Sequence, residues 1–275
     1  MIKVTVLLEN NSISKKYKPK HGLSLLIEYN NFDLMLDAGP DNTIIENAKR
    51  NNIDLTKINH LFLSHNHIDH TGGLNAYIKI NKNGNIYLMD KISNKYYIKF
   101  LFFYIPVGLR LKNINKFYFY SERESININD KVFFIKNNCN KYKKPLSNKN
   151  LYKKEGKKLV NDNFEHEGIL VLEENNELVI FNSCSHNGVL NIIETVRRKL
   201  PGKKIKSFIG GMHLYDPLTK KYESNEYLDY LADGLKNMNI TVYTGHCTGK
   251  YALDYLKNIL GEKIREINAG MEIIL

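Results

Sequence analysis

Three cysteines are all that this 275-residue chain contains. Cys139, Cys184 and Cys247 are odd in number and form no CxxC pair, which argues against a disulfide framework and for a reducing, cytoplasmic setting. Long hydrophobic runs are missing as well. The most apolar stretch, around residues 100–109, is interrupted by Pro106 and falls short of the ~20 residues that span a bilayer, so no membrane span is expected. The start of the chain lacks the charged, apolar and small-residue regions of a secretion signal and reads instead as a strand, Ile2–Leu8. Acidic residues are outnumbered, 29 against 40 Lys and Arg, for a net charge of +11. That excess fits a solvated basic surface or an anionic small-molecule partner such as a phosphate compound, and nucleic acid is not favoured.

What is present is a chain able to bury a large core. At 43% hydrophobic it suits one sizeable domain with a small subdomain. Strand patterns at Ile2–Leu8, 23–29 and Phe32–Leu36 are closed by the turn Asp37-Ala38-Gly39-Pro40, and a helix over 42–50 follows. Strands at 61–63 and 86–89 flank a short helix. The tail is regular again, with strands at 169–172, 178–182, 205–209, 240–243 and 271–274 and helices at 189–198, Asn225–Lys236 and 251–258. No internal repeat is evident. Between these halves, residues 91–162 form a less regular segment rich in aromatics and Lys, longer than the rest of the pattern requires. It reads as an inserted α+β cap, with a helix and several strands drawn from 98–105, 117–120 and 132–135. Its exposed aromatics would make a homodimer unsurprising; as a cap core they would face inward, and as a wall they would stack on a substrate ring.

The most informative segment is His65-Asn66-His67-Ile68-Asp69-His70, between the apolar run Leu61-Phe62-Leu63 and the turn Thr71-Gly72-Gly73. Side chains alternate along an extended segment, so His65 and His67 share one side, while Asp69 and His70 fall where a helix begins. Imidazole and carboxylate suit divalent zinc, iron or manganese. An open coordination position lowers the pKa of bound water toward about 7 and supplies hydroxide at neutral pH, and two ions about 3.5–4 Å apart can share it. Two further strands run into a His, Val179-Ile180-Phe181 ahead of His186 and Val242-Tyr243-Thr244 ahead of His246. Strand-end loops are where a scaffold gathers residues remote in sequence.

Together the HxHxDH run, His186, His246 and the strand-end Asp37 resemble the metallo-β-lactamase superfamily. The resemblance implies an α/β (α+β) fold, a four-layered αββα sandwich, formed by residues 1–90 and 163–275 with 91–162 as the inserted cap. More narrowly, His21-Gly22-Leu23-Ser24, Cys184-Ser185-His186, Gly210-Gly211-Met212-His213-Leu214 and Thr244-Gly245-His246-Cys247-Thr248-Gly249 resemble dihydropterin-ribofuranosylaminobenzene-phosphate synthase-like proteins. It further implies two divalent ions, with zinc foremost and iron or manganese as alternatives. His65, His67 and His186 would hold the first and Asp69, His70 and His246 the second. Asp37 would orient a ligating imidazole.

One departure stands out. Most dinuclear relatives carry a bridging Asp after the strand that follows the third His motif, whereas this chain has Gly210-Gly211-Met212-His213, with Asp216 the nearest acid. His213 is therefore a candidate ligand or proton-transfer group. Cys184 and Cys247 are expected to be buried packing residues, although a Cys184 thiolate would suit a soft metal. His60 and His166 are read as structural. The leading expectation is a metal-dependent hydrolase in which a metal-held hydroxide, oriented by Asp69, attacks an ester, phosphoester or related centre. The alternatives are a transferase acting on a pterin or ribose-phosphate compound, a non-catalytic metal-bound sensor, and a diiron redox protein, the last disfavoured because redox relatives carry Glu where this chain has His67.

Overall fold

A computed structural model describes residues 1–30, 32–89, 95–109, 117–119 and 125–275. Two seven-stranded sheets dominate it. The first runs in the order Glu272–Ile274, Ile2–Leu8, Ser24–Tyr29, Phe32–Leu36, His60–Leu63, Asn85–Leu88 and Phe117–Phe119. The second runs Ile264–Glu266, Thr241–Thr244, Lys204–Ile209, Glu177–Phe181, Gly168–Glu174, Val132–Lys136 and Ser125–Asn129.

The layering follows from side-chain parity. Along each strand one set of alternate apolar residues faces the other sheet: Val4, Val6, Leu25, Ile27, Leu34, Leu36 and Phe62 meet Phe134, Leu170, Leu172, Val179, Phe181 and Ile209 in a single buried cluster. The opposite set in the first sheet, including Leu7, Leu26, Met35, Leu61 and Leu63, packs on Ile44, Ala48, Leu74 and Tyr77 from helices Thr43–Arg50 and Leu74–Ile80. In the second sheet, Ile169, Val171, Leu178, Ile180, Phe208 and Val242 pack on helices Val189–Lys199, Asn225–Lys236 and Lys250–Leu260. The outcome is an αββα sandwich, as the resemblance implied.

Strand direction decides where the chemistry collects. Phe32–Leu36, His60–Leu63 and Asn85–Leu88 are mutually parallel, as are Glu177–Phe181, Lys204–Ile209 and Thr241–Thr244, in registers that pair Leu36 with Phe62 and align Phe181, Ile209 and Tyr243. Their C-terminal ends open at one edge of the sandwich, so Asp37, Ser64-His65, the 182–186 loop, the 210–213 loop and Gly245-His246 are brought to a common rim.

The span 91–162 contributes strands to all three larger sheets. Phe117–Phe119 extends the first sheet, and Ser125–Asn129 with Val132–Lys136 extends the second. A separate four-stranded sheet is built from Lys158–Asn161, Leu151–Glu155, Tyr96–Phe100 and Phe103–Pro106. Residues 98–105, one of the three segments from which a helix and several strands were expected, form a hairpin, with Ile98 opposite Ile105 and Leu101 in the turn at φ 54°. Ile98 and Ile105 border the cavity, the whole strand Phe103–Pro106 is exposed, and the tip is exposed too, Phe102 above all. Residue 120 of the expected aromatic stretch 117–120 lies outside the described residues. Among the described residues, no helix is long and apolar enough to cross a membrane.

Candidate metal centre

The His65–His70 segment leaves the first sheet as extended chain and enters the short helix Ile68–Thr71 at His67. Its shape is held from outside. Ile68 N–H donates to Val107 C=O at 2.7 Å and Leu109 N–H to Asn66 C=O at 3.1 Å, so the chain returning from the four-stranded sheet is stitched along the histidines. Gly22 and Gly72 permit the close packing around it: a Cβ on Gly22, at φ +140°, would sit 2.3 Å from the Asp69 carbonyl oxygen, and one on Gly72 would sit 2.0 Å from that of Pro40.

All six residues expected to hold metal converge, in two adjoining groups. In the first, the ligand nitrogens of His65, His67 and His186 lie within 4.8 Å of one another. The Nε2 atom of each is buried and has no hydrogen-bond partner. Three orphaned, inward-facing ring nitrogens are costly in an apolar interior unless something binds them. In the second, His70 Nε2 is 3.1 Å from His246 Nε2, and Asp69 Oδ2 is 3.3 Å from the former and 3.4 Å from the latter. These separations match the edges of a tetrahedron of ligands about 2.0–2.1 Å from a divalent ion, which are about 3.3 Å. Donor chemistry and spacing both fit an ion at each position.

The opposite ring nitrogens explain why Nε2 faces inward. Asp37 accepts from Ser64 N–H at 2.7 Å, Ser64 Oγ–H at 2.6 Å and His70 Nδ1–H at 2.8 Å. Since the Ser64 hydroxyl donates to Asp37, it accepts from His65 Nδ1–H at 2.8 Å, so one carboxylate sets two imidazoles. His186 Nδ1 pairs with Asn148 Oδ1 at 2.9 Å and His246 Nδ1 with Asn10 Oδ1 at 3.0 Å. Backbone contacts add to this: His186 N–H donates to Glu167 at 2.7 Å, and His246 N–H to Glu9 at 2.6 Å. Asp37, Ser185, His213 and His246 all adopt positive φ, between 51° and 61°, and such local strain persists where surroundings over-determine it.

Electrostatics prepares the same arrangement. Burial, reinforced by neighbouring imidazoles, pushes His65 and His186 well below the usual histidine range and His67 to about 3, leaving neutral rings with free lone pairs. Asp69 is driven up by burial, yet His70 and His246 outweigh this and hold its carboxyl well below its ordinary range. For His70 burial acts downward, but the charges of Asp69 and Asp37 prevail and raise it to about 10.

His213 also reaches the site. Its ring lies 4.1 Å from that of His186, and both its nitrogens are buried without a partner. Asp216, the acid nearest in sequence to the missing bridge, instead accepts from Asn150 and the backbone of Leu218. Cys184 and Cys247 are buried, as expected, but inside the cluster: Cys184 Sγ is 3.2 Å from His70 Nε2. His60 bonds Tyr87 away from the site. His166, by contrast, accepts from Asn66 N–H at 3.1 Å and pairs with Asp162 at 2.9 Å, bracing the His65–His67 loop. Sequence reasoning missed that role, together with those of Asn10, Asn148, Glu167 and His21, whose Nε2 is 3.5 Å from Asp69. Of these, only His21 carried a signal, in its short motif with Gly22.

A cavity of about 270 Å³ lies over the centre. His67, Asp69, His186, His213 and His246 form its floor, and Ile98, Ile105, Val107, Leu151, Pro217 and Leu218 form much of its wall. A larger depression of about 970 Å³ between Ser12–Lys20 and Asp41–Glu46 is shallow, open and without such groups, so the chemistry belongs to the smaller one.

Residues 17–133 match the metallo-beta-lactamase superfamily. Over 98% of its length the chain is 30% identical to the 7,8-dihydropterin-6-methyl-4-(beta-D-ribofuranosyl)-aminobenzene-5'-phosphate synthase of Methanocaldococcus jannaschii, of which 95% is covered. A crystallised metal-dependent hydrolase of the beta-lactamase superfamily superimposes with a TM-score of 0.84 at 22% identity, covering 100% of this chain and 99% of that one. Zn(2+)-bound PqqB from Methylobacterium extorquens shares the fold with a TM-score of 0.59 at 10% identity, over 99% of this chain and 100% of that one. Sequence relatedness along nearly the whole chain, joined to the sandwich and its histidine-lined rim, places this protein in the metallo-β-lactamase superfamily.

Proposed function

We propose that the protein is a dinuclear metal-dependent hydrolase acting on an ester, phosphoester or related small molecule. The observation that carries the reading is the set of three partnerless buried Nε2 atoms of His65, His67 and His186 beside the Asp69–His70–His246 triangle, all under one cavity. Two divalent ions, with zinc foremost and iron or manganese as alternatives, would supply Lewis acidity and a water acidic enough to serve as nucleophile at neutral pH. The chain's own groups do the rest. Asp69, ionised and facing the cavity, aligns the attacking water and accepts its proton. Asp37 fixes the His65 and His70 rings. His213, with two unengaged nitrogens on the cavity floor, protonates the leaving group.

The cavity also bears on the substrate. No Lys or Arg is among the described residues that line it, so an anionic reacting group would find its positive charge at the metal positions, while the remainder of the molecule packs on Ile98, Ile105 and Leu151. The test is a screen of phosphomonoester, phosphodiester, thioester and lactam substrates on metal-loaded protein, with metal analysis of the same sample. Turnover that disappears in His67→Ala and Asp69→Ala together with metal content supports the reading; full activity in either variant rejects it.

A second reading rests on the synthase to which the chain is 30% identical. A transferase acting on a pterin or ribose-phosphate compound would bind such a ligand in this cavity without cleaving it. Saturable pterin binding with no hydrolytic product would favour that reading.

A further inference from the structure

We propose that Cys184 is a fourth protein ligand of the second metal position, bound as a thiolate beside Asp69, His70 and His246; the inference rests on the dinuclear reading above. The triangle of Asp69 Oδ2, His70 Nε2 and His246 Nε2 has edges of 3.1–3.4 Å and leaves one vertex of a tetrahedron to fill. Among the described residues no further carboxylate fills it, because Ile209 is followed by two glycines and Met212, and Asp216 is engaged with Asn150. A sulfur lies beside two of its corners, His70 and His246. Cys184 Sγ is 3.2 Å from His70 Nε2, and it lies within 4.8 Å of ligand atoms of His246 and Cys247 on one side and of His65 and His70 on the other. A zinc–sulfur bond of about 2.3 Å lengthens the corresponding edge only slightly, to about 3.5 Å.

The second nearby sulfur is differently occupied. Cys247 Sγ accepts from His213 N–H at 3.2 Å and donates toward the Cys184 carbonyl at 3.8 Å. A Cβ on Gly211 would come within 2.5 Å of it, so it is wedged against backbone. Cys247 thus holds the 210–213 loop against the 245–248 turn, and Cys184 is left to face the ion. On ligation the Cys184 thiol gives its proton to solvent and forms one sulfur–metal bond, with no change in oxidation state. A thiolate also shifts preference toward borderline-soft zinc and cobalt and away from manganese and magnesium.

Cobalt(II) loading of the full-length chain tests this without reference to turnover. A thiolate-to-cobalt charge-transfer band in the near ultraviolet should grow with the second equivalent of cobalt. It should vanish in Cys184→Ser, with affinity for the second ion reduced on the order of 10–100-fold and the first ion retained, and it should persist in Cys247→Ser. Two cobalt ions bound without that band, or a band that follows Cys247 rather than Cys184, would overturn the proposal and leave the dinuclear reading standing. A chain that binds no cobalt at all would overturn both. Because the wild-type spectrum is itself decisive, poor folding of a variant does not remove the test.

Discussion

Asp37 shows how much one side chain governs here. It is fully buried, and its two oxygens accept three hydrogen bonds, through which the rings of both His65 and His70 are turned with Nε2 toward the centre. Asp37→Asn retains the shape but loses two of the acceptor sites that set those tautomers. Its affinity for metal should fall on the order of 10–100-fold, measured by competition with a chromophoric chelator. His70 supplies a pH dependence whose sign is fixed. In the metal-free protein, burial acts against its protonated form, but Asp69 and Asp37 raise it to about 10, so at neutral pH Nε2 carries a proton that an entering ion must displace. Affinity for the second ion should therefore climb as pH rises from 6 toward 9, with about one proton released from His70 as that ion binds, in addition to the proton of the Cys184 thiol. Calorimetric titration of Cys184→Ser in buffers of different ionisation enthalpy reads the His70 proton alone, and a pH-independent affinity would contradict it.

At the scale of elements, the site exists because parallel strands end together and the loops after them are tightly packed. Gly72 lies where the helix after His70 abuts the turn after Asp37, and its missing Cβ leaves room for the Pro40 carbonyl. Gly72→Ala forces those two backbones apart. A loss of about 1–3 kcal/mol in thermal or denaturant unfolding is expected, together with weakened metal binding. The hairpin of Tyr96–Phe100 and Phe103–Pro106 has a separable role: Ile98→Ala with Ile105→Ala should raise KM for substrates bearing an apolar group while metal content stays unchanged. The main strands were legible because their apolar residues alternate between two buried faces or run unbroken into a His. The hairpin was not. Tyr96 through Ile105 is apolar at nearly every position, since one face borders the cavity and the other is half exposed, so no period distinguished a helix from two strands.

Over the whole molecule, the sandwich joins residues as far apart as Asn10 and His246, or Asn148 and His186. The residues of the candidate metal centre were legible because each stands at or shortly after the end of an apolar strand, and His and Asp declare their chemistry. Their polar supports were not, because Asn10, Asn148, Glu167 and His166 come from loops whose only signal is three-dimensional proximity. The net charge of +11 is not expressed in the cavity, where no Lys or Arg stands among the described lining residues. Metal should also stabilise the native chain as a whole: an ion present at 100 times its Kd adds about 2.7 kcal/mol. For a domain of this size that corresponds to a rise in Tm of about 5–10 °C, which a chelator should reverse and which differential scanning calorimetry would register.

The account rests most heavily on two ions sharing one rim, and counting them tests it most directly. Zinc bound to the purified full-length chain, measured by elemental analysis after dialysis, should approach two equivalents, fall to about one in His246→Ala, and fall further when His67→Ala is added. Stoichiometry below one in the folded wild-type protein, or a value unmoved by either substitution, would contradict it.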